Sequence, residues 1–136
     1  MPQFHSNHAP GFNYADSDFN DFLEGYFDAA EWLWPEDGED AFDRSKVRGW
    51  SAAAKRSMIA DCRDFYRANK VDLAAYAEAA DHGMSGAGHD FFLTREGHGA
   101  GFWDRGLGEL GERLASAARS HGTAGYPYLV RGWVHL

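Results

Sequence analysis

The side chains best suited to chemistry lie in residues 88–105, GHDFFLTREGHGAGFWDR. Two apolar runs flank Glu96-Gly97 there, a spacing that predicts a β-hairpin with a two-residue turn. In that register His89 lies opposite Asp104. A carboxylate beside an imidazole can orient the ring as a general base, so the pair is a candidate catalytic site.

The same residues also admit a structural interpretation. His89 and Asp104 would tie down the end of the sheet, while Asp90 pairs with Arg105 as a diagonal neighbour. A metal site would need His98 to join the first two residues. The chain contains no GxSxG, phosphate-binding loop, CxxC or HExxH motif, and no nucleophile lies nearby in sequence. The sequence therefore predicts no metal and no cofactor.

A second candidate surface is a row of carboxylates near the N-terminus. Residues 1–43 hold 11 acidic side chains and no Lys or Arg. At ~100° per residue the acids of a helix over residues 17–34 fall on one face, with Trp32 among them. The predicted partner-binding residues on this face are Asp18, Asp21, Glu24, Asp28, Glu31 and Trp32. A loop over residues 35–43 would extend the surface with Glu36, Asp37, Glu39, Asp40 and Asp43.

This acidic face has two interpretations, a docking surface for a basic partner or a solvated polar face. The row offers one charge per helical turn of ~5 Å, whereas duplex DNA carries one per ~1.7 Å of axis. A nucleic-acid mimic would therefore need the acids of the following loop as well. Trp32 favours the docking interpretation, because a tryptophan ringed by charges is typical of an interface anchor.

The elements that position these residues follow from the apolar spacing. Ser17 or Asp18 can cap the first helix, and Pro35 ends it. Its inward stripe comprises Phe19, Phe22, Leu23, Tyr26, Phe27, Ala30, Leu33 and Trp34. Further helices are predicted over about 51–69, 71–80 and 107–121, with Gly122 as the last C-terminal cap. The last residues are predicted to form a strand or a short hairpin that turns at Arg131-Gly132, and residues 1–14 are predicted to be a mobile arm or a loop on the surface.

These elements predict one α+β domain over residues 1–136, with three to four helices packed on a three- to four-stranded antiparallel sheet. No apolar run approaches the ~20 residues of a membrane helix, and no signal-peptide pattern is present, which predicts a cytoplasmic protein. The single cysteine, Cys62, lies on an apolar helical stripe and is predicted to be a buried structural thiol. The net charge of −8 argues against direct nucleic-acid binding.

Residues 88–105 resemble a family of short proteins of tailed phages and prophages whose shared stretch reads close to GHDFWLTRNGHGAGFWDR. The matching residues are 88–91, 93–95 and 97–105. Asp61-Cys62 and Phe65 are similar to the family's DC..F helix, and the resemblance covers about residues 51–136. It implies a phage or prophage origin and assigns no catalytic residue. The acidic first helix lies outside the best-matching part.

The resulting hypothesis is a phage-encoded, non-enzymatic binding protein that docks through its acidic surface on a basic surface of a host protein complex. An inhibitor of a host defence nuclease complex, of the anti-CRISPR or anti-restriction type, fits this description. The alternative is a small phage enzyme that uses the His89 and Asp104 pair. A third possibility is a structural module that only self-associates.

Overall fold

The computed structural model describes residues 14–34 and 46–136. Most of these residues are helical. The α-helices are Ser17–Leu33 (α1), Ala52–Ala68 (α2), Lys70–Ala79 (α3), Gly83–Arg95 (α4) and Glu109–His121 (α5), with a 3-10 turn at Phe102–Asp104. The strands are Gly49–Trp50 (β1), Tyr128–Val130 (β2) and Trp133–His135 (β3). The predicted arm, apart from Tyr14, and the predicted acidic loop lie outside the described residues.

The predicted α+β class, with helices packed on a three- to four-stranded antiparallel sheet, is wrong. The described residues form a predominantly helical structure with one small sheet of two- and three-residue strands. Its order is β1-β3-β2, and it is mixed because β1 runs parallel to β3 while β2 runs antiparallel. The predicted terminal hairpin is confirmed, with its turn at Arg131 and Gly132.

The predicted β-hairpin over residues 88–105 is also wrong, because its first half is the C-terminal part of α4. This helix contacts α1, α3, α5 and the 3-10 turn, so almost no side chain on it faces solvent. A helix buried on all sides has no polar face, and its short apolar run cannot be distinguished from a strand by periodicity. Gly97, at φ 77°, then takes the left-handed conformation that commonly follows a helix end.

Two glycines let α1 and α4 approach to backbone contact. A Cβ atom on Gly25 would lie 1.7 Å from the carbonyl oxygen of Ser85, and one on Gly88 would lie 1.9 Å from that of Phe22. Neither position can hold a side chain without separating the two helices. This close crossing buries the apolar stripe of α1 against α4.

The other predicted helices are present within a few residues of their predicted bounds. The apolar stripe of α1 is buried except for the half-buried Leu33, while Asp16, rather than Ser17 or Asp18, caps the helix. The buried side chains form one contiguous cluster, in which the rings of Phe65 and Phe91 stack at 4.0 Å. Within residues 14–34 and 46–136, no helix has both the length and the apolar character needed to cross a membrane.

Candidate functional site

The outer face of α1 carries the acidic side chains that the sequence places there. Asp18, Asp21 and Asp28 are exposed, whereas Glu24 and Glu31 are half-buried. The opposite face is anchored in the core through residues such as Phe22 and Tyr26, which fixes the rotation of the helix. The packing of α1 against the core therefore directs these carboxylates outward.

Trp32 is the large apolar side chain of this face, and 54% of its surface is exposed. Its neighbour Trp34 is buried and packs edge-on against Trp50 at a ring-centroid distance of 5.8 Å. Trp50 in turn donates its indole N–H to Oε2 of Glu31, at 2.9 Å. The end of α1 is thus fixed by one tryptophan while the other projects toward solvent.

The start of α1 is fixed by Asp16. Its Oδ1 accepts hydrogen bonds from the backbone N–H groups of Asp18, at 3.0 Å, and Phe19, at 3.1 Å. Those bonds, led by the one from Phe19, lower the pKa of the Asp16 carboxyl below its ordinary value. The Tyr66 hydroxyl also donates to Oδ2 of Asp16, at 3.2 Å, and burial together with this carboxylate raises the pKa of Tyr66 to about 12. The predicted loop acids Glu36, Asp37, Glu39, Asp40 and Asp43 lie outside the described residues.

In residues 88–105, Asp90 is the centre of a buried polar cluster. Its side chain is fully buried and accepts two hydrogen bonds from Arg105, from Nη2 at 2.7 Å and from Nε at 3.2 Å. The Tyr76 hydroxyl donates to Oδ2 at 2.5 Å, and Nε2 of His82 lies 3.3 Å from the same oxygen. The predicted pairing of Asp90 with Arg105 is confirmed, although it joins a helix to a loop rather than two strands.

Arg95, at the end of α4, is a second buried polar side chain of this segment. Its Nη1 donates to Oδ2 of Asp61 at 3.0 Å and to the hydroxyl of Tyr26 at 3.1 Å, while its Nε donates to the carbonyl of Gly122 at 2.7 Å. One guanidinium therefore ties α4 to α1, α2 and the end of α5. Thr94 accepts a further bond from the backbone of Phe102. These contacts make the segment a structural centre of the fold.

The structure does not support the predicted juxtaposition of His89 and Asp104, because the cross-strand register that paired them does not exist. Asp104 accepts a hydrogen bond from the N–H of Gly101 at 3.0 Å and so closes the 3-10 turn. Burial lowers the pKa of His89, whose charged neighbours include Asp90 and Arg105. Across residues 14–34 and 46–136, no three His, Cys, Asp or Glu side chains form a metal-binding group, so His98 completes none.

Cys62 is fully buried, as its place on an apolar stripe predicts, and burial raises the pKa of its thiol. Sequence reasoning missed that Tyr76 and His82 converge on Asp90. Tyr76 lies in α3, whose alanine-rich sequence has no distinct apolar face, so no local signal places its hydroxyl against Asp90. No family model, curated protein or solved structure matches the chain, so the site is argued from its own geometry.

Proposed function

We propose that this chain is a phage-encoded, non-enzymatic binding protein that docks through the outer face of α1 on a basic surface of a host protein complex. The proposed target is a defence nuclease complex in the host cytoplasm, which the chain would inhibit in the manner of an anti-CRISPR or anti-restriction protein. The observation that carries the proposal is Trp32, 54% exposed on a helix face whose exposed charged side chains are all carboxylates.

Two kinds of side chain contribute to binding in different ways. The carboxylates of Asp18, Asp21 and Asp28 attract and orient a basic partner, and their effect is mainly on the association rate. Trp32 supplies a large apolar surface whose burial slows dissociation, as for the aromatic anchors that dominate interface energetics. Because α1 is packed against the core, the surface is already in its binding conformation and little ordering opposes the complex.

The mode we favour is docking on a basic protein surface rather than imitation of a whole duplex. Along α1 the acids are three or four residues apart, about one per ~5 Å of helix, which is sparser than the phosphates of DNA. Mimicry of DNA would depend on the acids of residues 36–40. The phage origin rests on the motif in residues 88–105, whose polar side chains Asp90, Thr94 and Arg95 join α4 to neighbouring elements of the fold.

The proposal is tested by capture of partners from a lysate of the host bacterium, with the tagged full-length chain and two variants. Trp32→Ala removes the proposed anchor. Trp103→Ala is the matched control, since Trp103 is 40% exposed but lies in the 3-10 turn, away from α1 in sequence. We expect the wild type and Trp103→Ala to capture the same nucleic-acid-handling complex and Trp32→Ala to lose it.

Three outcomes would contradict the proposal. These are capture of no complex, equal capture by wild type and Trp32→Ala, and loss of capture in Trp103→Ala alone. The last result would move the interface from α1 to the 3-10 turn.

A further inference from the structure

The outward face of the sheet is a second surface, with a chemistry unlike that of α1. In the β2–β3 pair, Tyr128 lies opposite His135 and Val130 lies opposite Trp133. Because side chains alternate along a strand, these four share one face, and their inward neighbour Val134 is fully buried. Tyr128, Val130 and Trp133 are 52%, 45% and 37% exposed.

The aromatic rings of this face are accessible and held in place. The ring of Tyr128 stacks on that of His135, with 5.3 Å between centroids and 19° between planes. Tyr126, just before β2, is 90% exposed. Beside the sheet, Trp133 and His135 line a cavity of about 380 Å³ together with residues 50–52. The surface thus combines flat rings with a cleft next to one of them.

Three cationic side chains lie at or near the turn between β2 and β3. Arg131 is exposed in the turn at φ 52°, and Arg48 lies against the turn, where its backbone N–H donates to the carbonyl of Gly132 at 2.6 Å. Lys46, two residues earlier, is also exposed. Neither residues 46–60 nor residues 122–136 include an Asp or Glu.

Within the described part of the chain, two carboxylates from other elements accept a hydrogen bond from residues next to the sheet. Glu31 accepts from the indole of Trp50, and Glu96 accepts from the backbone N–H of Ala124 at 3.0 Å. Among residues 14–34 and 46–136, the charged side chains at the turn itself are therefore cations, in a chain whose net charge is −8.

We propose that this face binds single-stranded nucleic acid, with bases stacked on Tyr128 and Trp133 and phosphates held by Lys46, Arg48 and Arg131. Exposed rings flanked by cations are the common means of binding single strands, because every base has a face that can stack. The net charge predicts repulsion of nucleic acid by the chain as a whole. Within a Debye length of ~10 Å at 0.1 M salt, however, local charge governs contact. An acidic peptide would use the cations but gain little from the rings.

The test is fluorescence anisotropy of a fluorescein-labelled 12-nucleotide oligothymidylate titrated with the full-length chain between 50 and 300 mM salt. Each phosphate contact contributes about −0.7 to the slope of log K against log salt, so three contacts predict a slope of about −2. Arg131→Gln should reduce the slope by about 0.7, and Tyr128→Ala should weaken binding about fivefold or more. Trp103→Ala and Arg119→Gln, at exposed positions elsewhere, are the matched controls and should bind like the wild type.

Several results would overturn the inference. One is the lack of saturable binding at 50 mM salt, and another is unchanged affinity in both test variants. A third is equal displacement of the probe by polyglutamate and by unlabelled oligothymidylate, which would show a surface for any polyanion, acidic peptides included. If Tyr128→Ala does not fold, Tyr128→Leu, which keeps an apolar side chain but removes the ring, replaces it and must weaken binding. None of these outcomes depends on the outer face of α1, so the proposed function stands or falls separately.

Discussion

Asp90 shows how one residue can join separate elements of this fold. A buried carboxylate is stable only when its charge and lone pairs are satisfied, and here Tyr76 and Arg105 meet that requirement. The sequence predicted the pairing with Arg105 because opposite charges lie in one motif. It could not predict the contact with Tyr76, because α3 has no distinct apolar face and its sequence does not identify a partner for that hydroxyl.

Replacing this carboxylate should be costly. Asp90→Asn keeps the size of the side chain but removes its charge, and we expect the free energy of unfolding to fall by about 3 kcal/mol, as when a buried ion pair is broken. Urea denaturation measures the change. The matched control is Asp72→Asn, which breaks the pair between Asp72 and the exposed Arg113 and should cost far less, because solvent screens that pair. Equal losses in the two variants would show that Asp90 is not buried as described.

For Trp32, in contrast, we expect replacement to have little effect on stability. Trp32→Ala should change the free energy of unfolding by less than about 0.5 kcal/mol, because a half-exposed side chain outside the core contributes little to stability. Phe22→Ala, on the buried face of the same helix, should lose about 3–5 kcal/mol. Thermal melting compares the two variants. A drop of several degrees for Trp32→Ala would mean that Trp32 is packed and would remove it as an anchor.

Among the elements, α1 could be predicted from the sequence and α4 could not. α1 has an apolar stripe on one side and acids on the other, and this contrast fixes both its helical period and its orientation. α4 is surrounded by other elements, so Phe91, Phe92 and Leu93 in succession are all buried. A run without polar interruption is equally typical of a strand, and Gly88, which lets α1 approach α4, does not indicate a helix either.

Because glycines allow α1 and α4 to come into backbone contact, one added methyl group there should destabilise the protein. Gly88→Ala places a Cβ atom against the carbonyl of Phe22 and should lower the free energy of unfolding by about 1–3 kcal/mol, despite the better helix propensity of alanine. Gly99→Ala is the matched control, since nothing lies within 4 Å of its added Cβ atom. Chemical denaturation of both variants is the measurement, and a Gly88→Ala variant as stable as the control would refute the close crossing.

The cap of α1 makes a prediction about pH. The N–H of Phe19 lowers the pKa of Asp16 from its ordinary value of 3.8, so its stabilising effect is present above that value and is lost as pH falls through the folded pKa. Asp16→Asn keeps a good capping residue without the charge. We expect the wild type to be more stable by about 0.5 kcal/mol at pH 7 and the difference to vanish near pH 2. A difference that stays constant across this range would contradict the assignment.

At the scale of the whole molecule, the described surfaces differ in charge, whereas the motif in residues 88–105 belongs to the core. Residues 88–105 were predicted to form a hairpin with a candidate catalytic pair, but their polar side chains stabilise the packing of α4. The acidic face of α1 was predicted from sequence because charge and helical period are both local properties. The placement of Lys46 and Arg48 beside the aromatic face of the terminal hairpin was not, because it depends on a parallel pairing between β1 and β3, which are more than 80 residues apart.

The docking face of α1 is the central claim, and reversal of its charge tests it most directly. The affinity of the partner captured by the wild type is measured for Asp21→Lys/Asp28→Lys and for the matched control Asp64→Lys/Glu78→Lys. The control makes the same change in net charge at exposed positions on α2 and α3. We predict that the α1 variant loses binding, while the control retains the affinity of the wild type within a few-fold. Equal affinities for the two variants, or equal losses, would contradict a docking site on α1.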